Sequence, residues 1–474
     1  MLFYGSTVDS CLTYSVFWRL GDADVFIVFN PKHKLNYCVH IYKGGLLTHR
    51  LHVCKGKIFG TMKFFVRSSQ RRGPRLGALR YIENSSDIEI ETPVVLLHTQ
   101  GGHIPHITHE VFKLVSKEPQ ILQIPLVSMQ NFKDTMTFYN GTISEFIGSK
   151  NSLTCLTLHD PSNLTKQGHH IKDKIPIWTK RGKVLYDADM YMDVVESFKP
   201  NMYYLLSDGD TNNTSSQKRI SKAVEQTIVF NRQCLERHRK SEVLKKMFVM
   251  APIAGGYCLK SREHCIRSLL ENVNEVQGIL IDGLHNNGPE VEFLPYEEIK
   301  SIVELIIEKL PPEKLYSVQG CWNPLNVIKL VQCGVDMFDT SYCRIMTERS
   351  AAMTFQIETS DGANDYEINL RHQSFAEDFT AIIDSCECLA CRKYTRAYIH
   401  HLLTVQELLA PVLIMIHNIH HYLKFFKKIR QCIANDTLDD FEKNIARQYQ
   451  NYQRRVTSSE EKTKILSGNS IGDI

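Results

Sequence analysis

The chain has 474 residues, of which 43% are hydrophobic and 23% are charged, as expected for an ordinary globular protein with a large core. Its 56 Lys and Arg outnumber its 52 Asp and Glu by only four, so any nucleic-acid contact must come from a local basic patch. The longest apolar stretch, residues 408–416, is far shorter than the roughly 20 residues of a membrane-spanning helix.

The chain divides by composition into five segments. Residues 1–61 contain aromatic residues and short apolar runs without a helical period, and we interpret them as an extension of unknown role that lies outside the core. Residues 62–350 are predicted to form the main domain. The remaining segments are a linker or insertion at 351–377, a cysteine-containing helical region at 378–435, and a helical end with a disordered tail at 436–474.

Short apolar runs in the main domain alternate with amphipathic stretches, and eight of these runs are predicted strands: Pro93–His98, Ile124–Ser128, Cys155–Leu158, Tyr203–Leu206, Phe248–Ile253, Gly278–Ile281, Leu315–Val318 and Val335–Phe338. Helical spacing of apolar residues predicts crossover helices over 220–235 and 299–306. The alternation indicates an α/β fold, a (β/α)₈ barrel of the TIM type. A doubly wound open sheet is the alternative.

In such a barrel, the loops that follow the strands carry the active site. Polar residues and glycines follow six of the predicted strands, and we treat these as the candidate site residues: Thr99–Gly102, Asp160, Asp208–Asp210, Ala254–Gly256, Asp282–Gly283 and Asp339.

The strongest local chemical signal is Cys386-Glu-Cys388-Leu-Ala-Cys391, which places three thiols within six residues. Three thiolates at this spacing can bind one Zn²⁺ from a tight turn, and a fourth ligand would complete a closed, structural tetrahedral site. The alternative is a group of ordinary reduced cysteines in the core.

The fourth ligand is expected on the helix that follows the cysteines. Spacing alone does not separate His417 from His420 or His421. Thr404 and Glu407 have the spacing of a capping box at the start of this helix. Pro411 is expected to kink the helix or to cost it a hydrogen bond.

Thr395-Arg-Ala-Tyr-Ile-His-His-Leu-Leu, followed by Glu407-Leu-Leu-Ala and Ile416-His417-Asn418, resembles the zinc region of tRNA-guanine transglycosylases. Gly334-Val-Asp-Met-Phe-Asp339 resembles the family's nucleophile strand. The resemblance covers roughly residues 75–430 and implies a zinc-bearing (β/α)₈ barrel. It also implies that the zinc ligands, one ion per subunit, are Cys386, Cys388, Cys391 and His417.

The family exchanges guanine for queuine or its precursor at the tRNA wobble position, using one carboxylate as nucleophile and another as proton shuttle. By resemblance Asp339 has the nucleophile's position, Asp160 that of the proton shuttle, and Asp208 that of the base-recognising residue. The family motifs around them are altered. Asp160 lacks the following Ser-Gly-Gly-Phe-Gln, Ala254-Gly255-Gly256 replaces Gln-Gly-Gly, and Ser341-Tyr-Cys-Arg344 replaces Leu-Pro-Thr-Arg.

In this sequence the motifs of the barrel strands are kept, whereas the motifs of the base pocket are altered. This combination resembles the accessory, non-catalytic subunit of the eukaryotic enzyme in this family. The resemblance implies no catalytic residue in this chain, a heterodimer with a catalytic queuine tRNA-ribosyltransferase subunit, and shared binding of tRNAs with GUN anticodons, those for aspartate, asparagine, histidine and tyrosine. It also implies a dimerisation helix within residues 378–435. Two alternatives remain, an active homodimer that uses Asp339 and a stand-alone zinc-dependent RNA-binding module.

Eight basic residues in two clusters are predicted to contact tRNA phosphates, with a solvated surface as the alternative: Arg67, Arg71, Arg72, Arg75, Lys424, Lys427, Lys428 and Arg430. The 14 scattered cysteines and the absence of a secretory pattern predict a reducing, cytosolic location. The resemblance adds a peripheral association with the mitochondrial outer membrane as an expectation.

Overall fold

The computed structural model describes residues 3–8, 11–20, 23–29, 37–42, 45–47, 61–69, 73–83, 86–169, 171–358 and 365–458. The chain forms two compact units, Met1–Phe59 and Gly60–Ile474. The first unit contains an antiparallel sheet in sequential order, formed by strands β1 (Phe3–Val8), β2 (Cys11–Leu20), β3 (Ala23–Phe29), β4 (Tyr37–Tyr42) and β5 (Gly45–Leu47). This sheet lies within residues 1–61, the segment expected to be an extension.

The second unit begins with a three-stranded antiparallel sheet of β6 (Thr61–Ser69), β7 (Arg75–Glu83) and β8 (Ser86–Thr92). One face of this sheet carries Met62, Leu79 and Ile90, which are buried in the same apolar cluster as the residues inside the barrel. The sheet therefore covers the end of the barrel at which the strands begin.

Ten strands follow in the chain. The first three are β9 (Val94–His98), β10 (Ile121–Pro125) and β11 (Leu153–Thr157), and the next two form a hairpin, β12 (Ile175–Thr179) and β13 (Gly182–Tyr186). The last five are β14 (Met202–Tyr204), β15 (Phe248–Ile253), β16 (Gly278–Ile281), β17 (Leu315–Ser317) and β18 (Met337–Asp339). All but the hairpin form one closed parallel barrel, in which β18 pairs with β9. The predicted (β/α)₈ barrel is confirmed, and the open-sheet alternative is wrong.

The eight predicted strands are the eight barrel strands, with ends that differ by no more than three residues. The largest difference is at β10, predicted at Ile124–Ser128 and found at Ile121–Pro125. The chain turns into a short helix at Leu126, and an apolar run does not by itself show where a strand becomes a helix.

Helices surround the barrel: α1 (His109–Phe112), α2 (Leu126–Met129), α3 (Lys133–Tyr139), α4 (Ile143–Phe146), α5 (Ala188–Phe198), α6 (Gln217–Lys240), α7 (Leu259–Leu270), α8 (Tyr296–Lys309), α9 (Pro324–Cys333) and α10 (Ser341–Glu348). The predicted crossover helices correspond to α6 and α8. Short 3₁₀ turns lie at 130–132, 244–246, 273–275, 289–293 and 373–375.

After the barrel, residues 351–377 contain an antiparallel pair, β19 (Ala351–Met353) and β20 (Glu367–Asn369). Four helices follow: α11 (Leu389–Lys393), α12 (Arg396–Thr404), α13 (Leu409–Ala434) and α14 (Leu438–Ser458). The sequence predicts disorder after Arg455, but α14 continues to Ser458, so the prediction is wrong for these three residues; the rest of the predicted tail, residues 459–474, lies outside the described residues.

Two local expectations at the start of α13 are wrong. Thr404 is the last residue of α12, where its hydroxyl donates to the carbonyl of His400 at 2.9 Å, so it does not cap α13. Pro411 is the third residue of α13, and an amide in the first turn has no acceptor within the helix. Pro411 therefore costs the helix no hydrogen bond.

The core has two layers. Alternate strand residues such as Leu96, Met250 and Met337 fill the barrel interior, while Leu97, Val249 and Phe338 pack outward against the helices. Within the described part of the chain, no helix is long and apolar enough to cross a membrane.

Candidate functional site

The carboxyl ends of the barrel strands carry the three acids to which the resemblance assigned the family's functional positions. Asp160 follows β11, Asp208 follows β14, and Asp339 is the last residue of β18. All three side chains are buried. What these acids can do depends on which groups already occupy their oxygens.

Asp160 is the centre of a hydrogen-bond network. Its Oδ1 contacts His98 Nε2 at 2.7 Å and accepts from the amide and hydroxyl of Ser162 at 3.0 and 2.6 Å. Its Oδ2 accepts from Gln100 Nε2 at 3.2 Å, Asn163 Nδ2 at 2.9 Å and Arg344 Nη1 at 3.2 Å. Burial raises the pKa of Asp160, but His98 and Arg344 outweigh it and hold the pKa well below its usual range.

Six contacts fill the roughly four lone-pair positions of a carboxylate. Asp160 is therefore held as an anion whose oxygens point at groups of its own chain. A proton shuttle needs an oxygen directed at the base, and this geometry does not provide one.

Asp339 is likewise bound by groups of its own chain, from the loop after β17 and from the start of α10. Its Oδ2 accepts from the amide of Gly320 at 2.9 Å, and its Oδ1 accepts from the amide of Ser341 at 2.9 Å and from the Ser341 hydroxyl. Burial raises the pKa of the Asp339 carboxyl. The carboxyl thus satisfies the first amide of α10, as a structural residue at a helix start does.

Asp208 is bound by an arginine from α6. Arg219 Nη1 donates to Asp208 Oδ2 at 3.0 Å, and Arg219 Nη2 donates to Asp208 Oδ1. Such a two-pronged contact uses the carboxylate edge that would otherwise read a base. Arg219 therefore neutralises the residue that corresponds to the family's base-recognising acid.

The remaining strand-end candidates leave little space. The Asp282 carboxylate accepts from the Ser207 hydroxyl at 2.6 Å and lies so close to Gly209 that a Cβ there would meet its oxygens at 2.6 Å. The cavity that Asp282 lines measures about 50 Å³, space for a few water molecules.

Beside this cavity, the fully buried Arg262 fills the space behind the Ala254–Gly256 loop. Its Nε donates to the carbonyl of Gly256 at 3.0 Å, and a Cβ on Gly255 would meet the Arg262 amide at 2.8 Å. Arg262 therefore holds this loop in place.

His98, Arg219 and Arg262 were not identified from the sequence as site residues. His98 gave a signal, because it is a polar residue at the end of a predicted apolar strand. Arg219 and Arg262 gave no signal in the sequence, because both belong to helices, α6 and α7. Only the fold shows that they lie at the barrel mouth.

A second candidate site lies outside the barrel. There the structure brings together the side chains of Cys386, Cys388, Cys391 and His417. Their ligand atoms all lie within 4.8 Å of one another, and His417 Nδ1 is 3.8, 3.6 and 3.2 Å from the three sulfurs in chain order. Cys388 caps α11 and its sulfur accepts from the amide of Cys391 at 3.3 Å. These four residues could hold a metal ion, and the set of donors fits a zinc site.

The orientation of the His417 ring resolves the ambiguity among the three histidines. His417 Nε2 lies 2.8 Å from the carbonyl of Met353 on β19 and donates to it, which directs Nδ1 at the sulfurs. His421 lies one turn further along α13 and its ring stacks on that of His417 at 5.8 Å, but it is not among the four residues whose ligand atoms lie together. Asn418 ties α13 to the same strand, since its Oδ1 accepts from the Met353 amide at 3.0 Å.

The predicted phosphate contacts have mixed outcomes. Arg75 is buried, and its Nε donates to Asp336 Oδ1 at 2.8 Å, so the prediction for Arg75 is wrong. Arg430 is partly buried and donates to the carbonyl of Pro93 at 2.9 Å. Arg71 and Arg72 lie outside the described residues. The others lie at or near the surface: Arg67, Lys424, Lys427 and Lys428.

Comparison with known proteins agrees with this architecture. The family model described as queuine tRNA-ribosyltransferase matches residues 70–451. Curated relatives named queuine tRNA-ribosyltransferase accessory subunit 2 include one from Aedes aegypti, 37% identical over 82% of this chain and 93% of its own length. A second, from Culex quinquefasciatus, is 39% identical over 80% of this chain and 90% of its own length. A third, from Drosophila melanogaster, is 35% identical over 87% of this chain and 98% of its own length.

The sequence resemblance implied a closed parallel barrel that is followed along the chain by a Cys₃His centre, and this is the architecture of the structure. The chain belongs to the queuine tRNA-ribosyltransferase family.

Proposed function

We propose that this chain is the non-catalytic subunit of a heterodimeric queuine tRNA-ribosyltransferase. It would pair with a catalytic subunit of the family and help to hold tRNA while that subunit exchanges guanine for queuine at the wobble position. The relatives that match most of this chain are named as accessory subunits of such an enzyme.

The observation that carries the proposal is the occupation of the three acids by their own chain. Arg344 and His98 bind Asp160, Arg219 binds Asp208, and the start of α10 binds Asp339. Catalysis by the family chemistry requires two carboxylates that face a bound base and its ribose. To free either Asp160 or Asp208, a substrate would have to break buried charge-assisted hydrogen bonds, at about 1.5–3 kcal/mol each.

The active-homodimer alternative depended on Asp339, and the contacts to both of its oxygens weigh against it. The stand-alone RNA-binding alternative has no support in the family match, which extends over the whole barrel. Neither alternative is favoured by an observation of its own.

Incorporation of labelled guanine into tRNA tests the proposal. The purified chain alone should incorporate none, and its complex with the catalytic subunit should be active. Asp339→Asn in this chain should leave the rate of the complex within about twofold, because the Asp339 carboxyl is already bound by the amide of Gly320 and by the start of α10. The control replaces the catalytic partner's own nucleophile, which should abolish exchange.

Two results would refute the proposal: exchange by the chain alone, or loss of exchange in the complex when only Asp339 of this chain is changed. The melting temperature of the variant complex separates the second result from a folding defect.

We also propose that the ion bound by the Cys₃His centre is zinc in a structural role. Zinc with sulfur at about 2.3 Å and nitrogen at about 2.0 Å in a tetrahedron places a nitrogen and a sulfur donor about 3.5 Å apart. The distances from His417 Nδ1 to the sulfurs, 3.2 to 3.8 Å, bracket this value. Four protein ligands leave no position for a reactive water, so the ion would fasten the α11 turn to α13.

Metal analysis of the purified chain should find about one zinc per chain. Cys388→Ser should lose it, whereas Cys258→Ser, a matched control at the start of α7, should keep it. Wild-type zinc content in Cys388→Ser would contradict this assignment.

We propose a cytosolic location, supported by free thiols at eleven cysteines of the barrel and of the helices that follow it. The peripheral association with the mitochondrial outer membrane stays a prediction, and fractionation of cells would test both.

A further inference from the structure

A strongly cationic hairpin stands at the rim of the barrel mouth. Between Leu164 and Tyr186 the chain has six Lys and Arg and one acid, Asp173: the cations are Lys166, Lys172, Lys174, Lys180, Arg181 and Lys183. We call the described part of this segment, residues 164–169 and 171–186, the cationic hairpin. It lies outside both basic clusters that the sequence indicated.

The inner face of the cationic hairpin is apolar and fixed. Ile175, Ile177 and Tyr186 are buried in the main core, and this burial fixes the orientation of the two strands. Side chains alternate along a strand. The opposite, outer face is partly covered, because Pro176 is buried and Trp178 is half-buried, whereas Lys183 on that face is exposed, as are Lys180 and Arg181 at the tip. Trp178 and Lys183 are cross-strand neighbours on that outer face.

The loop before the hairpin is fastened across the barrel mouth. The amide of Thr165 donates to the carbonyl of Asn286 at 2.7 Å, and the amide of Gly168 donates to Asp210 Oδ2 at 2.9 Å. Asn286 follows β16 and Asp210 follows β14, so three strand-end loops share one hydrogen-bond network. The cations are thus carried by an ordered platform.

The outer face combines charge with an aromatic ring. Lys166 Nζ lies 4.9 Å from the centre of the Trp178 ring, and the His169 ring meets the same indole edge-on at 5.1 Å. These contacts gather side chains of the loop and of both strands into one surface. The surface continues on α6, because Gln226 donates to the carbonyl of Lys174 at 3.2 Å, and the exposed Lys222 lies one turn earlier on the same helix face.

The charges of this surface are largely unneutralised. Lys174 lies 3.5 Å from Asp187. Among the residues that the structure describes, no carboxylate lies within 4.0 Å of the charged groups of the other five cations, all of which are exposed. A solvated face is the usual outcome for lysines, but solvated lysines are commonly interspersed with acids, and this segment has one acid for six cations.

From these observations we infer that the cationic hairpin is a contact surface for the phosphate backbone of RNA. The inference rests on the proposed function and specifies where the chain would hold its tRNA. Cations set on a rigid, outward-facing rim suit a phosphate backbone, which is recognised mainly by charge. An anionic membrane fits less well, because the hairpin tip consists of Lys180, Arg181 and Gly182 and offers no apolar side chain for insertion.

The experiment compares two triple variants in complex with the catalytic subunit. One variant, K180A/R181A/K183A, removes three charges from the hairpin tip. The control, K117A/K150A/K309A, removes three exposed charges near the other end of the barrel, since Lys117 and Lys150 lie just before β10 and β11 and Lys309 ends α8. Both complexes have the same net charge.

Binding of a tRNA transcript with a GUN anticodon is measured at several salt concentrations. We expect at least tenfold weaker binding by the tip variant near 0.1 M salt, and a slope of log affinity against log salt that is smaller by about two to three. The control variant should bind as the wild-type complex does. A second variant, K166A/K172A, tests the loop side of the surface and should also weaken binding.

Equal affinity and equal salt dependence for the tip variant and the control would overturn the inference and leave the proposed function intact. A wild-type complex that binds no tRNA would refute the proposed function, and the inference with it. Loss of binding to phosphatidylserine vesicles in the tip variant, with tRNA binding unchanged, would overturn the RNA assignment in favour of a membrane surface.

Discussion

The acids at the barrel mouth show how a residue can keep its position while its role changes. Asp208 has the family's position, but Arg219 from the first turn of α6 occupies both of its oxygens. Asp160 keeps its charge because His98 and Arg344 lower its pKa, and the same contacts leave no oxygen free. A retained acid is therefore weak support for catalysis until its partners are known.

Another buried group in this region, His285, should make stability depend on pH. Burial lowers the pKa of His285 to about 4, and its Nε2 donates to the carbonyl of Gln319 at 3.0 Å. The unfolded chain takes up this proton near pH 6.5, while the folded chain stays neutral down to about pH 4. The free energy of unfolding should thus fall as pH is lowered from 6.5 to 4, with full stability above that window.

Between pH 7 and pH 5, His285 should account for up to about 2 kcal/mol of this loss. Denaturant unfolding at the two pH values should show a smaller difference for His285→Gln than for the wild-type chain. His401→Gln, at an exposed position on α12, is the control and should keep the wild-type difference. The same pH dependence in His285→Gln and wild type would show that His285 is not responsible.

Features that depend on a local sequence pattern could be predicted from the sequence. The partners of buried charged residues could not, because they lie far away along the chain. Apolar runs located all eight barrel strands, and the spacing of the cysteines located a turn that could hold a metal ion. The partner of Asp160 could not be read in this way, because Arg344 lies 184 residues further along the chain. Arg75, predicted to contact phosphate, has its partner Asp336 at a separation of 261 residues, and only the closed fold brings the two together.

At the scale of elements, Arg75 fastens the β6–β8 sheet to the end of the barrel. Its Nε donates to Asp336 Oδ1 at 2.8 Å, its Nη2 donates to the carbonyl of Lys314 at 2.6 Å, and its guanidinium lies 5.0 Å from the centre of the Tyr316 ring. The Asp336 carboxylate also accepts from the amide of Tyr316 at 2.7 Å. One side chain thus joins β7 to the chain before β18 and to β17.

Arg75→Met should destabilise the chain by about 3–5 kcal/mol, because it leaves Asp336 charged, buried and without its partner. Arg75→Met combined with Asp336→Asn should be less unstable than the single variant, since the uncompensated charge is removed and the contact with Tyr316 can remain. Urea unfolding measures both. Arg67→Met, which removes an exposed pair with Glu89, is the control and should cost less than about 1 kcal/mol.

If the double variant were as unstable as Arg75→Met, the loss would come from packing of the arginine and not from the unpaired charge. The charge argument would then be wrong.

At the scale of the whole molecule, the helices beside the Cys₃His centre expose an apolar surface. Tyr398 and Val405 are seven residues apart, on one face of α12 and the turn after it, and their exposures are 42% and 50%. Leu408, just before α13, is 83% exposed, and Phe379 beside the start of α12 is 76% exposed. We define this apolar patch as Phe379, Tyr398, Val405 and Leu408.

Large apolar side chains gathered at a surface commonly mark an interface with another protein. The family resemblance places a dimerisation helix in this region, and the Cys₃His turn leads directly into α12. The proposed heterodimer therefore predicts that the catalytic subunit covers the apolar patch.

Leu408→Glu should weaken the complex with the catalytic subunit by at least tenfold, because the partner would have to bury an unpaired charge. The dissociation constant measured with purified subunits gives the comparison. Leu114→Glu is the matched control, since Leu114 is 66% exposed and lies between α1 and β10, outside the apolar patch. Leu408 is exposed, so the variant should fold and keep its zinc. Equal dissociation constants for Leu408→Glu and Leu114→Glu would place the partner on another surface of the barrel.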